Sequence, residues 1–356
     1  MNYEEISVFE DEKVVNRIKI NERFIGKIII GIDNFTNLII GLSKKFFKKQ
    51  QRNCFIAIDG YHGVDFSTIK SKLEEGLKKE NIVYEIIEFS AYFKNPKEIE
   101  ELINPYITFD DHFVKLWVEG SLDMLFDADK IQELRKRLKN ERNQKSKLII
   151  GTDCGSAFHK LIDLYDYIFY LDITRQEQRR RFEKGKVKNL GAGIIEYDRG
   201  YSYRRLIAVD HPVIDRHKKF VLSRINYYVD ANNGENLKVI PKSVYNKIIS
   251  TLVRYPIRLK PVYIPGVWGG QFLKKVRGLP QYKKNVAWSL ECCPDVQSIP
   301  ILLNNKIIID LPFLNLLWQE KLKLMGRYCV EMFDFDPYFD IYGWPISFNY
   351  DDTMDG

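Results

Sequence analysis

Residues Cys54–Glu80 read CFIAIDGYHGVDFSTIKSKLEEGLKKE, and this stretch decides the fold. Cys54–Ile58 is a short apolar run of strand type. Asp59–Thr68 supplies two glycines and a cluster of turn residues, and the charged, leucine-spaced run that follows predicts a helix. A second strand is expected at Val83–Phe89. Strand, glycine turn, helix, strand is a βαβ opening, which calls for a parallel sheet covered by helices.

The same pattern extends outward. Leu148–Ile150 and Tyr167–Asp172 read as further buried strands, and Gln132–Lys147 as a charged helix. Upstream, strand-like runs lie around Ile18–Ile20 and Ile25–Ile30. A helix follows in which Phe35, Leu38, Ile39, Leu42 and Phe46 share a face, with Asp33 or Asn34 as its cap. Downstream, Asn232-Asn233-Gly234 marks a soft boundary before a strand (Leu237–Ile240) and a helix (Ser243–Leu252). Beyond Pro256, prolines, glycines and short apolar runs predict a mainly-β segment with a helix near Phe313–Met325. The chain thus divides into 1–50, packing on the first domain; 51–235, an α/β domain; 236–255, a connecting strand and helix; and 256–356, a mainly-β portion.

The 356 residues are enough for two domains with real cores. With 45% hydrophobic and 29% charged residues, the composition is that of a folded globular protein. The five cysteines form no CxxC pair, which fits a reducing compartment, and the expected location is the cytoplasm. The N-terminus lacks a signal-peptide core, and no apolar run approaches the roughly 20 residues of a membrane helix, so no membrane partner is expected. The net charge of +7 comes from separated clusters such as KKFFKKQQR and RRRFEKGKVK. Such clusters suit phosphate-bearing ligands. A nucleic-acid partner would call for a continuous basic face with interleaved aromatics, and ranks last.

A strand that ends in glycine and turns into a helix can present backbone N–H groups to a phosphate. Counted from Gly60 against the P-loop spacing, Asp65 stands at the second glycine, Phe66 at the lysine, and Ser67 at the Ser/Thr position. Gly60, Gly63, Ser67 and Thr68 are the phosphate-loop candidates. His62, His112, His159, His211 and His217 are scattered and show no metal-ligand spacing, so no metal site is expected among them.

Residues from about Phe55 to Asn232 resemble the uridine-kinase-like branch of P-loop kinases. The resemblance rests on Tyr165-Asp166-Tyr167-Ile168-Phe169-Tyr170-Leu171-Asp172 followed by the arginine-rich Ile173–Arg181, together with Glu88–Tyr92, Phe109–His112, Asp210–Val213 and Arg216–Lys218. It implies a lid helix whose arginines, Arg179 and Arg180, clamp phosphates, and it implies ATP with magnesium as cofactor. The absent loop lysine opposes kinase activity unless Lys70 or Arg179 takes over its role.

The C-terminal stretch resembles the N-terminal part of type I mannose-6-phosphate isomerases. The carriers are Lys260-Pro261, Trp268-Gly269-Gly270, Trp288-Ser289-Leu290-Glu291-Cys292 and Phe348–Gly356, in the family's order. The resemblance implies a partial cupin fold, Trp268 in a sugar pocket, and Ile346–Tyr350 as a barrel strand whose partners come from a missing segment or another protein. It also implies zinc in the intact family, from a Gln-x-His-Pro motif that follows the match to Gly356. No histidine lies after His217, so no metal ligand set is expected here. Glu291 and Asp295 read as surface acids, and Cys292 as a small core residue.

The leading expectation is a protein of sugar-phosphate metabolism with isomerase ancestry and no isomerase turnover of its own. Its alternative is a nucleoside or sugar kinase, or a nucleotide-binding regulatory domain, of the P-loop type. In both cases the expected partners are phosphosugars or nucleotides.

Overall fold

The computed structural model describes residues 16–107, 115–193, 199–253, 263–264, 285–286 and 298–317. The strands are β1 (Asn16–Ile18), β2 (Ile29–Ile30), β3 (Cys54–Gly60), β4 (Tyr84–Glu88), β5 (Leu148–Thr152), β6 (Tyr167–Asp172), β7 (Tyr227–Asp230), β8 (Lys238–Pro241), β9 (Tyr263–Ile264), β10 (Asn285–Val286), β11 (Ser298–Leu303) and β12 (Ile307–Pro312). The helices are α1 (Glu22–Ile25), α2 (Ile32–Gln50), α3 (Phe66–Lys79), α4 (Pro96–Ile103), α5 (Leu122–Leu125), α6 (Ala128–Glu141), α7 (Arg175–Glu183), α8 (Arg199–Arg205), α9 (His211–Leu222), α10 (Lys242–Leu252) and α11 (Leu314–Leu317). A π-helical turn, Leu206–Asp210, joins α8 to α9.

The main sheet has seven strands in the order β2-β8-β7-β6-β3-β5-β4. The block β4, β5, β3, β6, β7 is parallel, and β8 and β2 close one edge by antiparallel pairing. Every residue of β3 and β5 is buried, as befits central strands covered on both faces. The expected strand at Tyr167–Asp172 forms over that span, and Cys54–Ile58 extends to Gly60. Side-chain alternation splits the interior in two. Ile56 and Ile58 of β3 face a core built with α2 and α3, while Ala57 faces the other side.

The N-terminal expectations change in detail. The run Ile25–Ile30 divides into α1 and a two-residue strand, because the Asn21 side chain accepts from Arg23 N and starts a helical turn. Helix α2 begins after Gly31, which has φ 95° and no capping side chain. Asp33 sits in its first turn, so neither Asp33 nor Asn34 is the cap. The charged helix lies at Ala128–Glu141, earlier than expected, because Asp127 caps it.

Part of the C-terminal stretch joins this architecture. β11 pairs antiparallel with β12 and parallel with β1, forming a three-stranded sheet. Ile299, Ile301, Leu303, Ile309 and Leu311 bury against Tyr228, Tyr245 and Ile248, in the second core of the main sheet. Hydrogen bonds lock the join: Asp310 N donates to Asp230 (3.1 Å), and Asn315 Nδ2 donates to Asp172 (2.9 Å). α11 falls within the helix expected at Phe313–Met325. All the carriers of the cupin resemblance, including Trp268, Glu291 and Cys292, lie outside the described residues, as do Asp295 and Ile346–Tyr350. Among the described residues, no helix is long and apolar enough to cross a membrane.

Candidate functional site

Ligands of open α/β sheets bind at the carboxyl ends of the strands. Here that end is built around Asp59, the fully buried penultimate residue of β3. Its carboxylate accepts from Gly60 N (2.7 Å), Gly155 N (2.8 Å), Ala157 N (2.8 Å) and His217 Nε2 (2.7 Å), which ties β3 to the turn after β5 and to α9. Gly60 passes β6 so closely that a Cβ would stand 2.6 Å from Leu171 O. Gly63 holds φ 102°, a conformation that favours glycine.

The loop after Gly60 is wired to α7. Gln178 Nε2 donates to His62 O (2.8 Å), and Gln178 Oε1 accepts from His211 Nε2 (2.8 Å). Arg175 donates to His211 Nδ1 (2.8 Å), and His62 Nε2 donates to Lys188 O (2.6 Å). These partners fix both tautomers, because a nitrogen facing a guanidinium must accept and one facing a carbonyl must donate. Burial holds both imidazoles below their ordinary range, and the Arg175 charge pushes His211 further down. His62 and His211, far apart in sequence, therefore meet through the Gln178 side chain. Among the described residues, no group of three His, Cys, Asp or Glu is arranged to hold a metal.

Helix α3 begins with its own anion. The Asp65 carboxylate accepts from Thr68 N (3.1 Å), Ser67 Oγ (2.6 Å) and Thr68 Oγ1 (2.8 Å). These bonds hold the carboxyl below its usual range even though burial opposes them. The N-terminal end of a helix attracts a negative group, and a side chain already fills this one. Phe66 stands at the lysine position and Lys70 is turned away, 2.5 Å from Glu88.

The arginines of α7 divide their roles differently from the sequence expectation. Arg181 grips the loop, donating to Gly63 O (2.9 Å), Ala231 O (3.0 Å) and Asn232 O (2.9 Å). Arg175 pairs with Asp215 and donates to Tyr61 Oη (3.1 Å). Arg180 is forked onto Glu177, and Arg179 bonds Glu183 and lies over the Tyr203 ring. Neither expected clamp is positioned as one: Arg180 borders the open cleft with its guanidinium engaged, and Arg179 does not line it.

That cleft, about 820 Å³, lies between Gly63–Ser67, Arg180–Lys186 and Asn232–Gly234. Four cations, Arg180, Arg181, Lys184 and Lys186, line it against two carboxylates, Asp65 and Glu177. Both carboxylates are engaged, whereas Lys184 and Lys186 are exposed and meet no carboxylate among the described residues. Of the sequence candidates, Gly63, Ser67 and Arg180 line the cleft. Gly60 lies behind it in the strand, and Thr68 is turned onto Asp65. The sequence reading missed Lys184 and Lys186, whose only local signal was the basic run after Arg181.

A family model described as a domain of unknown function (DUF8485) matches residues 36–254. The chain belongs to the DUF8485 family. The match runs from within α2 past α10, so it takes in this DUF8485 sheet apart from β2 and ends before β9. No curated protein matches the chain. Solved structures similar to it include a candidate fructose transport system kinase from Silicibacter sp. TM1040, at 13% identity and TM-score 0.32, over 51% of this chain and 94% of that one. Another is a possible uridine kinase from Bacillus stearothermophilus, at 12% identity and TM-score 0.28, over 55% and 98%. At these scores the fold of the DUF8485 chain rests on its own strand order, a mostly parallel sheet flanked by helices.

Proposed function

We propose that this chain is a P-loop-kinase-like module that holds a phosphorylated small molecule in the cationic cleft and does not transfer its phosphoryl group. The observation that carries this reading is Asp65, whose carboxylate takes the Thr68 N–H and the Ser67 and Thr68 hydroxyls. A working P-loop directs these groups at phosphate and metal. Magnesium ATP as a reacting cofactor therefore does not fit the residues present: the hydroxyls are spent, a carboxylate lies at the helix end, and Phe66 replaces the cation. The cations that remain, Lys184 and Lys186, stand across the cleft, where they can pair with phosphate without reaching a transition state at the loop. The isomerase reading has no observation in its favour among the described residues.

The test is a calorimetric titration with pyrophosphate and ATP at low and moderate salt. Saturable binding is expected, weakening as salt rises and falling at least tenfold in Lys184→Glu/Lys186→Glu. Binding that ignores both salt and the double substitution would overturn the cleft as the phosphate site.

A further inference from the structure

The helices that lead into β3, β4 and β5 end side by side. α2, α3 and α6 run in before these strands, which are parallel and adjacent in the sheet. Their C-terminal turns therefore meet at the amino end of the strands, at the far end of the sheet from the cleft. The contacts agree. Lys44 of α2 pairs with Glu80, just past α3, at 2.5 Å. Asn53, between α2 and β3, donates from its backbone N–H to Gln144 O (2.7 Å) and from Nδ2 to Glu141 O of α6 (2.8 Å).

This end is basic. Lys45, Lys48 and Lys49 of α2, Lys78 and Lys79 of α3, and Lys139 of α6 are exposed, and none forms an ion pair among the described residues. The arginines are engaged: Arg52 and Arg142 both lie on Asp166, at 2.5 and 3.5 Å, and Arg137 meets Glu85 at 2.7 Å. Those pairs also occupy the neighbouring carboxylates. Lysines near a helix C-terminus offset the macrodipole, but that field amounts to roughly half a charge per helix. The unpaired lysines exceed what the three helix ends call for.

We propose that this end of the sheet docks on a nucleic-acid duplex, with the lysines on the phosphates of its backbone. The basic runs KKFFKKQQR and RKRLKNERNQKSK stand apart in the sequence; the fold joins them, with the end of α3, into one face. Lysine meets phosphate as a point charge, whereas base edges are read largely by forked side chains, and the arginines here are tied up. The face therefore holds the backbone without reading sequence. A single strand would call for exposed aromatic rings to stack on, and in α2 Phe46 is buried and Phe47 half-buried. An anionic membrane would reward apolar insertion, and among the described residues Val83 alone of the large exposed apolar side chains lies at this end. The proposal is independent of the cleft and stands whether or not the cleft holds phosphate.

The test is fluorescence anisotropy of a labelled DNA duplex of about 20 base pairs with the full chain, from about 50 to about 200 mM salt. Affinity is expected to fall at least tenfold over that range, and an RNA duplex of the same sequence is expected to bind alike. Lys45→Gln/Lys48→Gln/Lys49→Gln changes exposed side chains, so its urea midpoint should match the parent's. Its duplex affinity at low salt should fall at least tenfold, and the slope of log affinity against log salt should flatten by about three. Lys78→Gln/Lys79→Gln, on a different helix, should flatten the slope by about two. Duplex binding that neither variant weakens overturns the proposal. So does tighter binding to phosphatidylserine vesicles than to the duplex, which would assign the face to a membrane.

Discussion

Asp65 and Thr68 close the first turn of α3 on each other: the carboxylate accepts the Thr68 backbone N–H at 3.1 Å and the Thr68 hydroxyl at 2.8 Å. A side chain therefore fills the N-terminal end of this helix, where an anion would otherwise be attracted. Asp65→Ala is expected to cost about 1 kcal/mol of stability, and Asp65→Gly only a few tenths, since glycine is a tolerable cap. Urea unfolding of the two variants checks the ranking. Equal losses would mean the carboxylate does not act as the cap.

Gly60 has no room for a side chain against Leu171 O. Gly60→Ala must push β3 from β6 at the carboxyl end of the sheet, and roughly 1–3 kcal/mol of destabilisation is expected. An unchanged unfolding midpoint would contradict the close approach.

Lys218 and Asp172 form a fully buried ion pair at 2.7 Å, to which Tyr228 and Asn315 also donate. Burial pulls the Lys218 pKa down, and the Asp172 charge opposes the shift. Lys218→Met leaves a buried carboxylate short of its cation, so roughly 3–5 kcal/mol should be lost. A loss under about 1 kcal/mol in chemical denaturation would show that the pair does not hold the site together.

The pH dependence follows from His62 and His211. Both are held below the ordinary histidine range by burial, so the unfolded chain takes up protons first. Their stabilising contribution is fully present above the unfolded value of about 6.5, and it is lost as pH falls through their folded values. Asp210, raised by burial, acts in the opposite sense near the carboxylate range. The urea midpoint should therefore fall from pH 7.5 to 5.5, and fall less in His62→Gln/His211→Gln. Parallel slopes for parent and variant would contradict the buried neutral pair.

The central strands were legible because β3, β5 and β6 are short apolar runs bounded by turn residues. The turn from β3 into α3 was legible because its glycines and turn residues are local. The wiring was not: His62 and Gln178 are 116 residues apart, and His217 and Asp59 are 158 apart, so no periodicity reports their meeting. The arginines of α7 were visible as a group, yet which of them touches the loop depends on helix phase. Arg175 and Arg181 face the loop, while Arg179 and Arg180 turn to Glu183 and Glu177. Likewise Asn315 gave no local sign that it would reach Asp172, so the hairpin's place on the main sheet could not be read from the chain.

The most direct measurement is phosphorus NMR of ATP held with the full chain, alongside a calorimetric titration of the same sample with and without Lys184→Glu/Lys186→Glu. Saturable binding that the double substitution weakens at least tenfold is expected, with the γ-phosphate intact after prolonged incubation. Release of ADP by the parent chain, or no binding at all, would contradict a phosphate-holding module without phosphoryl transfer.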